Sequence, residues 1–300
     1  MVGVYFYTWY DLGKWSEARS PFTPLIGRYD SADPHVIRWQ LDLIEWCGFD
    51  YIIIEAIPDS DWSSSHAVRA TQTVIEQCRP RRLQWSFLLD AAVHSRNDGT
   101  ARFTQAAKMV DSVEQLFPID GMVKGPDGKP LHFVFGLTPE HATRMAALHP
   151  AYDFRFAVCT PRDVCYDRVR NHRFWGPIMR ELHGKGIDPF DYLVKHRYVS
   201  FWDCTDSPDC YDGFCSVIPG YDDMLLGRYP QSAPVVPRKS GKTFVKQFES
   251  AISHKAKHIT VYGWNEYFEA TTIEPTREYG MTYARLAKLM IERAHEQRAS

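Results

Sequence analysis

Eight stretches of the chain are apolar almost throughout and rich in Val, Ile, Phe, Tyr and Trp. They are VGVYFYTWY (2–10), DYIIIEAI (50–57), LQWSFLLDA (83–91), LHFVFGL (131–137), DFRFAV (153–158), YVSFWD (198–203), FCSVIPGYD (214–222) and HITVYGWN (258–265). Several lack polar alternation, the pattern of parallel strands covered on both faces. Between them the period lengthens to three and four. DPHVIRWQLDLIEWCG (33–48) predicts a helix with Asp33 as N-cap, Pro34 at the first helical position and Gly48 as the stop. Its expected buried stripe is Val36, Trp39, Leu43 and Trp46. Helical patterns also cover 63–78, 101–117, 139–148, 173–182, 188–196, 242–256 and 277–297.

Strand and helix patterns in alternation predict an α/β fold, a closed (β/α)8 TIM barrel, built as one domain over residues 1–300. A doubly wound open sheet is the alternative, but YFYTWYDLGKW after the first strand carries no glycine fingerprint. In a barrel, chemistry sits at the C-terminal strand ends. Those ends hold Tyr7, Trp9, Tyr10, Glu55, Asp90, His94, Trp202, Asp203, Tyr221, Asp222, Asp223, Glu266 and Glu269. Residues 203–241 form a long Pro-, Gly-, Asp- and Cys-rich segment, the kind used as a lid or substrate wall.

Charge narrows the partners. The net charge is −2, with 35 basic and 37 acidic residues, which gives no case for nucleic acid or an anionic membrane. Aromatics make up 14% of the chain, enough for a heavy core or for a sugar-binding groove. No apolar run reaches membrane-spanning length, and MVGVYFYTWY has no leader pattern, so a cytoplasmic location without membrane insertion is expected. Seven cysteines are then expected to be mostly free thiols; Cys204, Cys210 and Cys215 cluster without any CxxC and are expected as loop cysteines without a metal, a metal site or a local disulfide being the lesser alternative. Nothing in the chain calls for a cofactor, and nothing fixes an oligomeric state.

The chemistry concentrates in HITVYGWNEYFEATTIEP (258–275). If the chain turns helically past the last strand, Glu266 and Glu269 lie about 5–6 Å apart at Cβ. Two carboxylates flanking one bond are the minimal machinery of glycoside hydrolysis, one protonating the leaving oxygen and the other acting as nucleophile or base. An E-x-x-E pair alone is common and fits a solvated acidic loop better. KSGKT (239–243) ends like a phosphate-binding loop, but Val236 stands where that pattern needs glycine. No GxSxG, HExxH or EF-hand pattern is present.

GWNEYFEATTIEPT (263–276) resembles the N-E-W-H-E-G-T-x-I-E-P signature of glycoside hydrolase family 99-like proteins, relatives of the endo-α-mannosidases that include the WbsX-like proteins of bacterial polysaccharide loci. YFYTWY resembles the group's Y-Y-x-W-Y opening, and PLIGRYDSADP its P-x-x-G-x-Y-x-S-x-D-P segment. IPGYDD resembles its P-G-Y-D-D, and PRKSGKTFVKQFESAI the R-x-x-G-x-x-Y-x-x-x-W run after it. The resemblance implies a (β/α)8 barrel and a retaining glycoside hydrolase. Glu266 would then be the base on the sugar 2-hydroxyl and Glu269 the acid/base. That chemistry needs a 2-hydroxyl trans to the leaving group, as in α-mannosides. The sequence departs at Phe268 for His, Ala270 for Gly and Thr272 for Gln, which fits the WbsX-like branch better than the mannosidases.

Around the acids, Tyr7, Trp9, Tyr10, Trp202, Tyr221, Asn265 and Tyr267 are candidate sugar contacts, with core packing as the competing role for the aromatics. Glu55 and Asp90 end very apolar strands and are expected in the pocket, or else in buried ion pairs. Asp222 lies in the P-G-Y-D-D stretch. Arg238 is a candidate sugar or carboxylate contact, against a surface ion pair; Glu274 either contacts sugar or orients the loop. The expected partner is a carbohydrate. Glycan transfer in polysaccharide assembly and a non-catalytic glycan-binding barrel are the rival readings.

Overall fold

The computed structural model of the chain describes residues 1–56, 65–91, 98–158, 175–200, 205–208, 210–222, 224–226 and 235–299. Its strands are β1 (Val2–Phe6), β2 (Tyr51–Ala56), β3 (Gln84–Asp90), β4 (Leu131–Phe135), β5 (Asp153–Val158), β6 (Tyr198–Ser200), β7 (Cys210–Tyr211), β8 (Phe214–Val217) and β9 (His258–Val261). Its helices are α1 (Lys14–Glu17), α2 (Pro34–Cys47), α3 (His66–Cys78), α4 (Gly99–Leu116), α5 (Pro139–Leu148), α6 (Trp175–Gly184), α7 (Pro189–Lys195), α8 (Lys242–Ser253) and α9 (Thr282–Ala299).

The strands form one sheet in the order β6-β5-β4-β3-β2-β1-β9-β8-β7. Every ladder is parallel except the β7–β8 hairpin, and β6 returns beside β7 and β8, so the sheet curls into a nearly closed TIM-type barrel. All eight expected strands are present; the short β7 was not expected. Parallel strands force helical returns between neighbours, which is why the two periods alternate along the chain.

Side-chain parity sorts each strand into two cores. Val2, Val4 and Phe6, Ile52 and Ile54, and Trp85, Phe87 and Leu89 join the layer between sheet and helices. Tyr5 and Tyr7, Tyr51 and Ile53, Leu88, and Phe133 fill the barrel interior. The same alternation puts Glu55 and Asp90 on the interior parity at the C-terminal ends of β2 and β3.

Helix α2 starts and stops as expected. The Asp33 side chain accepts from the His35 N–H, and Gly48 is left-handed at φ 89°. Its buried face is rotated by one residue from the expected stripe, to Ile37, Gln40, Leu41, Ile44 and Cys47. Val36, Trp39 and Leu43 flank that face, and Trp46 is 42% exposed, with the Lys288 ammonium 5.4 Å above its ring. The last helix starts at Thr282 instead of 277, because Arg277–Met281 form a turn in which Gly280 has φ 54°. Cys210 and Cys215 are disulfide-bonded across the β7–β8 pair, contrary to the expectation of free thiols there, because the hairpin brings their Cα atoms to 4.4 Å. Cys47 and Cys78 are buried free thiols.

Candidate active site

Beyond β9 the chain does not continue as a helix. It folds into a buried loop, 262–276, whose backbone is tied to its neighbours. The Trp264 N–H donates to the Tyr5 carbonyl at 2.7 Å, and the Trp264 carbonyl accepts from Ile273 at 3.0 Å and Glu274 at 2.8 Å. Gly263 is needed for close approach: a Cβ there would lie 2.9 Å from the Tyr7 ring and 3.4 Å from Cβ of Glu266. Asn265 is fully buried and clamps β1's exit. Its Oδ1 accepts from the Tyr7 N–H and its Nδ2 donates to the Tyr7 carbonyl, each at 2.9 Å.

Residues 267–270 form a single turn, closed by the Thr271 N–H on the Glu266 carbonyl at 3.1 Å and ended by Ala270 in the left-handed region at φ 53°. Glu266 and Glu269 stand on this turn, held by different donors. Glu266 is buried, and its Oε1 accepts from the backbone N–H of Phe268 at 2.7 Å and of Glu269 at 3.4 Å. Glu269 is half-buried, and its Oε2 accepts from the Tyr262 hydroxyl at 2.6 Å. The Glu269 carbonyl receives the Asp222 N–H at 3.0 Å, which joins the loop after β8 to the turn.

Tyr7, Tyr262 and Glu55 lie against this pair. Burial pushes the Tyr7 phenol well above its ordinary value, and the negative charges of Glu55, Glu266 and Glu269 push it further. Tyr262 is raised in the same way by burial and then by Glu269. The barrel mouth therefore gathers three carboxylates and two phenols that stay protonated.

An aromatic layer supports the turn. Tyr10 stacks on Trp15 at 4.3 Å and meets Tyr267 edge-on at 5.9 Å, while its hydroxyl accepts the Tyr267 N–H at 3.0 Å. Tyr10 and Tyr267 are fully buried, so the structure places them beneath the turn rather than on a sugar-facing surface. Trp9 and Phe268 are half-buried at the mouth, edge-on at 6.3 Å, with the Lys14 ammonium 5.6 Å from the Phe268 ring.

Glu274 belongs to a buried polar cluster. Its Oε2 accepts from the hydroxyls of Tyr29 and Tyr267, each at 2.9 Å, and its Oε1 from Nε2 of Gln40 at 3.0 Å. Tyr29 in turn accepts from Gln40 at 2.9 Å and from Asn265 at 3.3 Å. Burial raises the Glu274 carboxyl to about 7 against these three opposing hydrogen bonds. These bonds tie the loop after β9 to α2 and to Tyr29.

Among the described residues Arg238 makes no ion pair, and it is not on the surface. It is 9% exposed, and Nη2 donates to the carbonyls of Ala270 at 2.8 Å and Thr272 at 2.7 Å. The rings of Phe22, Tyr283 and Tyr279 lie 4.6, 4.4 and 5.4 Å from the guanidinium. Its charge grips the strand of loop just past Glu269. Gly220 makes room for it, since a Cβ there would lie 2.5 Å from Cγ of Arg238. Tyr221 is buried, and its N–H and carbonyl pair with Val236. Asp222 caps its own turn by accepting from Met224. Asp90 lies near the Arg102 guanidinium of α4, whose Nη1 donates to the Gly136 carbonyl at 3.1 Å. Trp202, His94, Asp203 and Asp223 lie outside the described residues. Among the described residues no group of three or more His, Cys, Asp or Glu is placed to hold a metal ion.

Three residues escaped the sequence reading: Tyr262, Gln40 and Tyr29. Tyr262 is the first residue past β9, where interior parity could have flagged it. Gln40 is a polar residue within an apolar helix face. Tyr29 is the Tyr of the GRYDS stretch.

No family model matches the chain, and no curated protein matches it. Solved structures do. The GH99 endo-α-mannosidase of Bacteroides thetaiotaomicron, in complex with bis-tris-propane, superposes with TM-score 0.70 at 15% identity, covering 99% of this chain and 98% of that one. A second structure of the GH99 endo-α-mannosidase from that organism gives 0.68 at 14% identity, covering 100% and 98%. A glycoside hydrolase-like protein gives 0.59 at 12% identity, covering 97% and 93%. At these identities the likeness shows the fold: this chain builds a barrel of the kind found in GH99 endo-α-mannosidases.

Proposed function

We propose that the protein is a retaining glycoside hydrolase acting on a glycan or polysaccharide, with Glu266 and Glu269 as its carboxylate pair. The observation that carries this reading is the segment 266–270 at the C-terminal mouth, where the two acids sit on or beside one short, tied turn with unlike donors. Two N–H groups point at Oε1 of Glu266, so that oxygen is an acceptor, as suits a base. Glu269 is more exposed, as suits a group that must meet the leaving oxygen and then water.

In the first step Glu266 takes the proton of the sugar 2-hydroxyl, and that oxygen bonds to the anomeric carbon. The bond to the leaving oxygen breaks as Glu269 gives it a proton. In the second step Glu269 takes a proton from water, and the water oxygen attacks the anomeric carbon. The strained C–O bond opens, and its oxygen regains the proton held by Glu266. Two inversions give net retention. This chemistry favours α-mannoside-like stereochemistry. The half-buried, apolar Phe268 at the mouth supports a substrate nearer the WbsX-like polysaccharide branch than the mannosidases themselves. Trp9 offers a ring face for a sugar.

The test is reducing-end release from α-mannans and bacterial polysaccharides by wild type and Glu269→Gln. Loss of a general acid lowers the rate by about 10²–10⁴-fold. If neither protein cleaves any glycan while both bind one equally, the hydrolase reading fails.

A further inference from the structure

Glu266 is fixed by its own backbone, but Glu269 is fixed by a side chain from the preceding strand end. Tyr262 leaves β9 on the interior side, where its ring is 4% exposed. It sits edge-on to Tyr5 at 5.5 Å and to Tyr7 at 6.4 Å, so two perpendicular rings limit its freedom. Its hydroxyl reaches Oε2 of Glu269 at 2.6 Å, across seven residues of chain. A phenol bonded to a carboxylate at that distance is a short, charge-assisted donor.

We propose that Tyr262 is a positioning residue for Glu269: by donating to Oε2 it holds the carboxyl in one orientation and directs the transferable proton to Oε1. The inference rests on the reading of Glu269 as acid/base. An oxygen already accepting a phenolic proton is the poorer site for a second one, so the contact disfavours protonation at Oε2. The proton given to the leaving group, and later recovered from water, then travels through Oε1 in both steps. Tyr262 keeps its own proton throughout, because burial and the neighbouring carboxylates hold the phenol protonated well above its ordinary range. The residue acts through Glu269 and touches no reacting atom.

The experiment reads the contact itself. Protein carrying ¹³C at the glutamate carboxyl is titrated by NMR, and the resonance missing in Glu269→Gln identifies Glu269. In Tyr262→Phe its midpoint rises by about one pH unit or more, because a donor to the charged form has been removed, a contact on the order of 1.5–3 kcal/mol. An unmoved midpoint overturns the proposal. A second measurement does not depend on that variant folding. With ¹³Cζ-tyrosine, the Tyr262 resonance of wild type follows the Glu269 titration and loses that response in Glu269→Gln; a Tyr262 resonance indifferent to Glu269 also overturns it. Neither result needs a cleaved glycan. A glycan that wild type and Glu269→Gln bind equally and neither cleaves would therefore sink the hydrolase reading and leave this test standing.

Discussion

Replacing Glu274 by Gln gives the sharpest check on the buried cluster. Burial lifts the folded carboxyl from 4.5 to about 7, although Gln40, Tyr29 and Tyr267 all donate to it. An acid whose folded value is raised binds its proton more tightly when folded, so it adds stability below about pH 4.5 that is lost as pH rises through 7. A rise of about 2.5 units is worth about 3 kcal/mol at full extent. Between pH 5 and pH 8, roughly 2.5 kcal/mol of it should disappear from the wild type. Glu274 is 2% exposed, so solvent screening removes little of this. Gln cannot titrate, and the variant should lack the slope. The assay is urea unfolding of both proteins at pH 5 and pH 8, comparing the stability gap between them at each pH. A gap that changes by about 2.5 kcal/mol supports the desolvation argument. A gap that is flat, or that moves in the opposite direction, refutes it. In that case the three donors have overcome burial and Glu274 is ionised throughout.

Arg238→Met should destabilise the protein by about 2–4 kcal/mol, because the carbonyls of Ala270 and Thr272 lose their charged donor inside the protein; thermal unfolding measures it, and a change under 1 kcal/mol would discount the grip. His132 is fully buried among Phe87, Tyr152 and Phe154, and burial lowers it from 6.5 to about 3. The unfolded chain takes up that proton first, so stability falls as pH drops below 6.5, by about 3 kcal/mol at pH 4.5. His132→Phe should remove this acid loss, as read from unfolding at pH 7 and pH 4.5; an equal loss in the variant would show that His132 is not responsible. Glycan cleavage in Glu269→Gln and the carboxyl titration in Tyr262→Phe complete the set.

The eight strand runs and the alternation of two periods were legible because each is a local pattern. A strand covered on both faces must be apolar along its length, and a helix return must carry a three- and four-residue repeat. Asp33, Pro34 and Gly48 set the ends of α2 through short-range hydrogen bonds and φ preferences, and the sequence carries both. Glu266 and Glu269 were legible as a pair because three residues of spacing already put them on one turn.

What the sequence left open depended on which groups meet across the barrel. The period of α2 allowed more than one buried face, and the sheet selected the one holding Gln40, which reaches Glu274 over 234 positions of chain. Arg238 read as a surface residue because long charged side chains usually are; only the carbonyls of a distant loop and three rings made burial tolerable. Cys210 and Cys215 lacked a recognisable spacing, yet a hairpin placed them opposite each other. The sequence by itself determined the elements and the acids, since local periodicity and propensity act along the chain. The tertiary structure decided what holds the loop that carries them, because hydrogen bonds of 2.9–3.0 Å from the end of β1 to Asn265 and from α2 to Glu274 exist only once the barrel has closed.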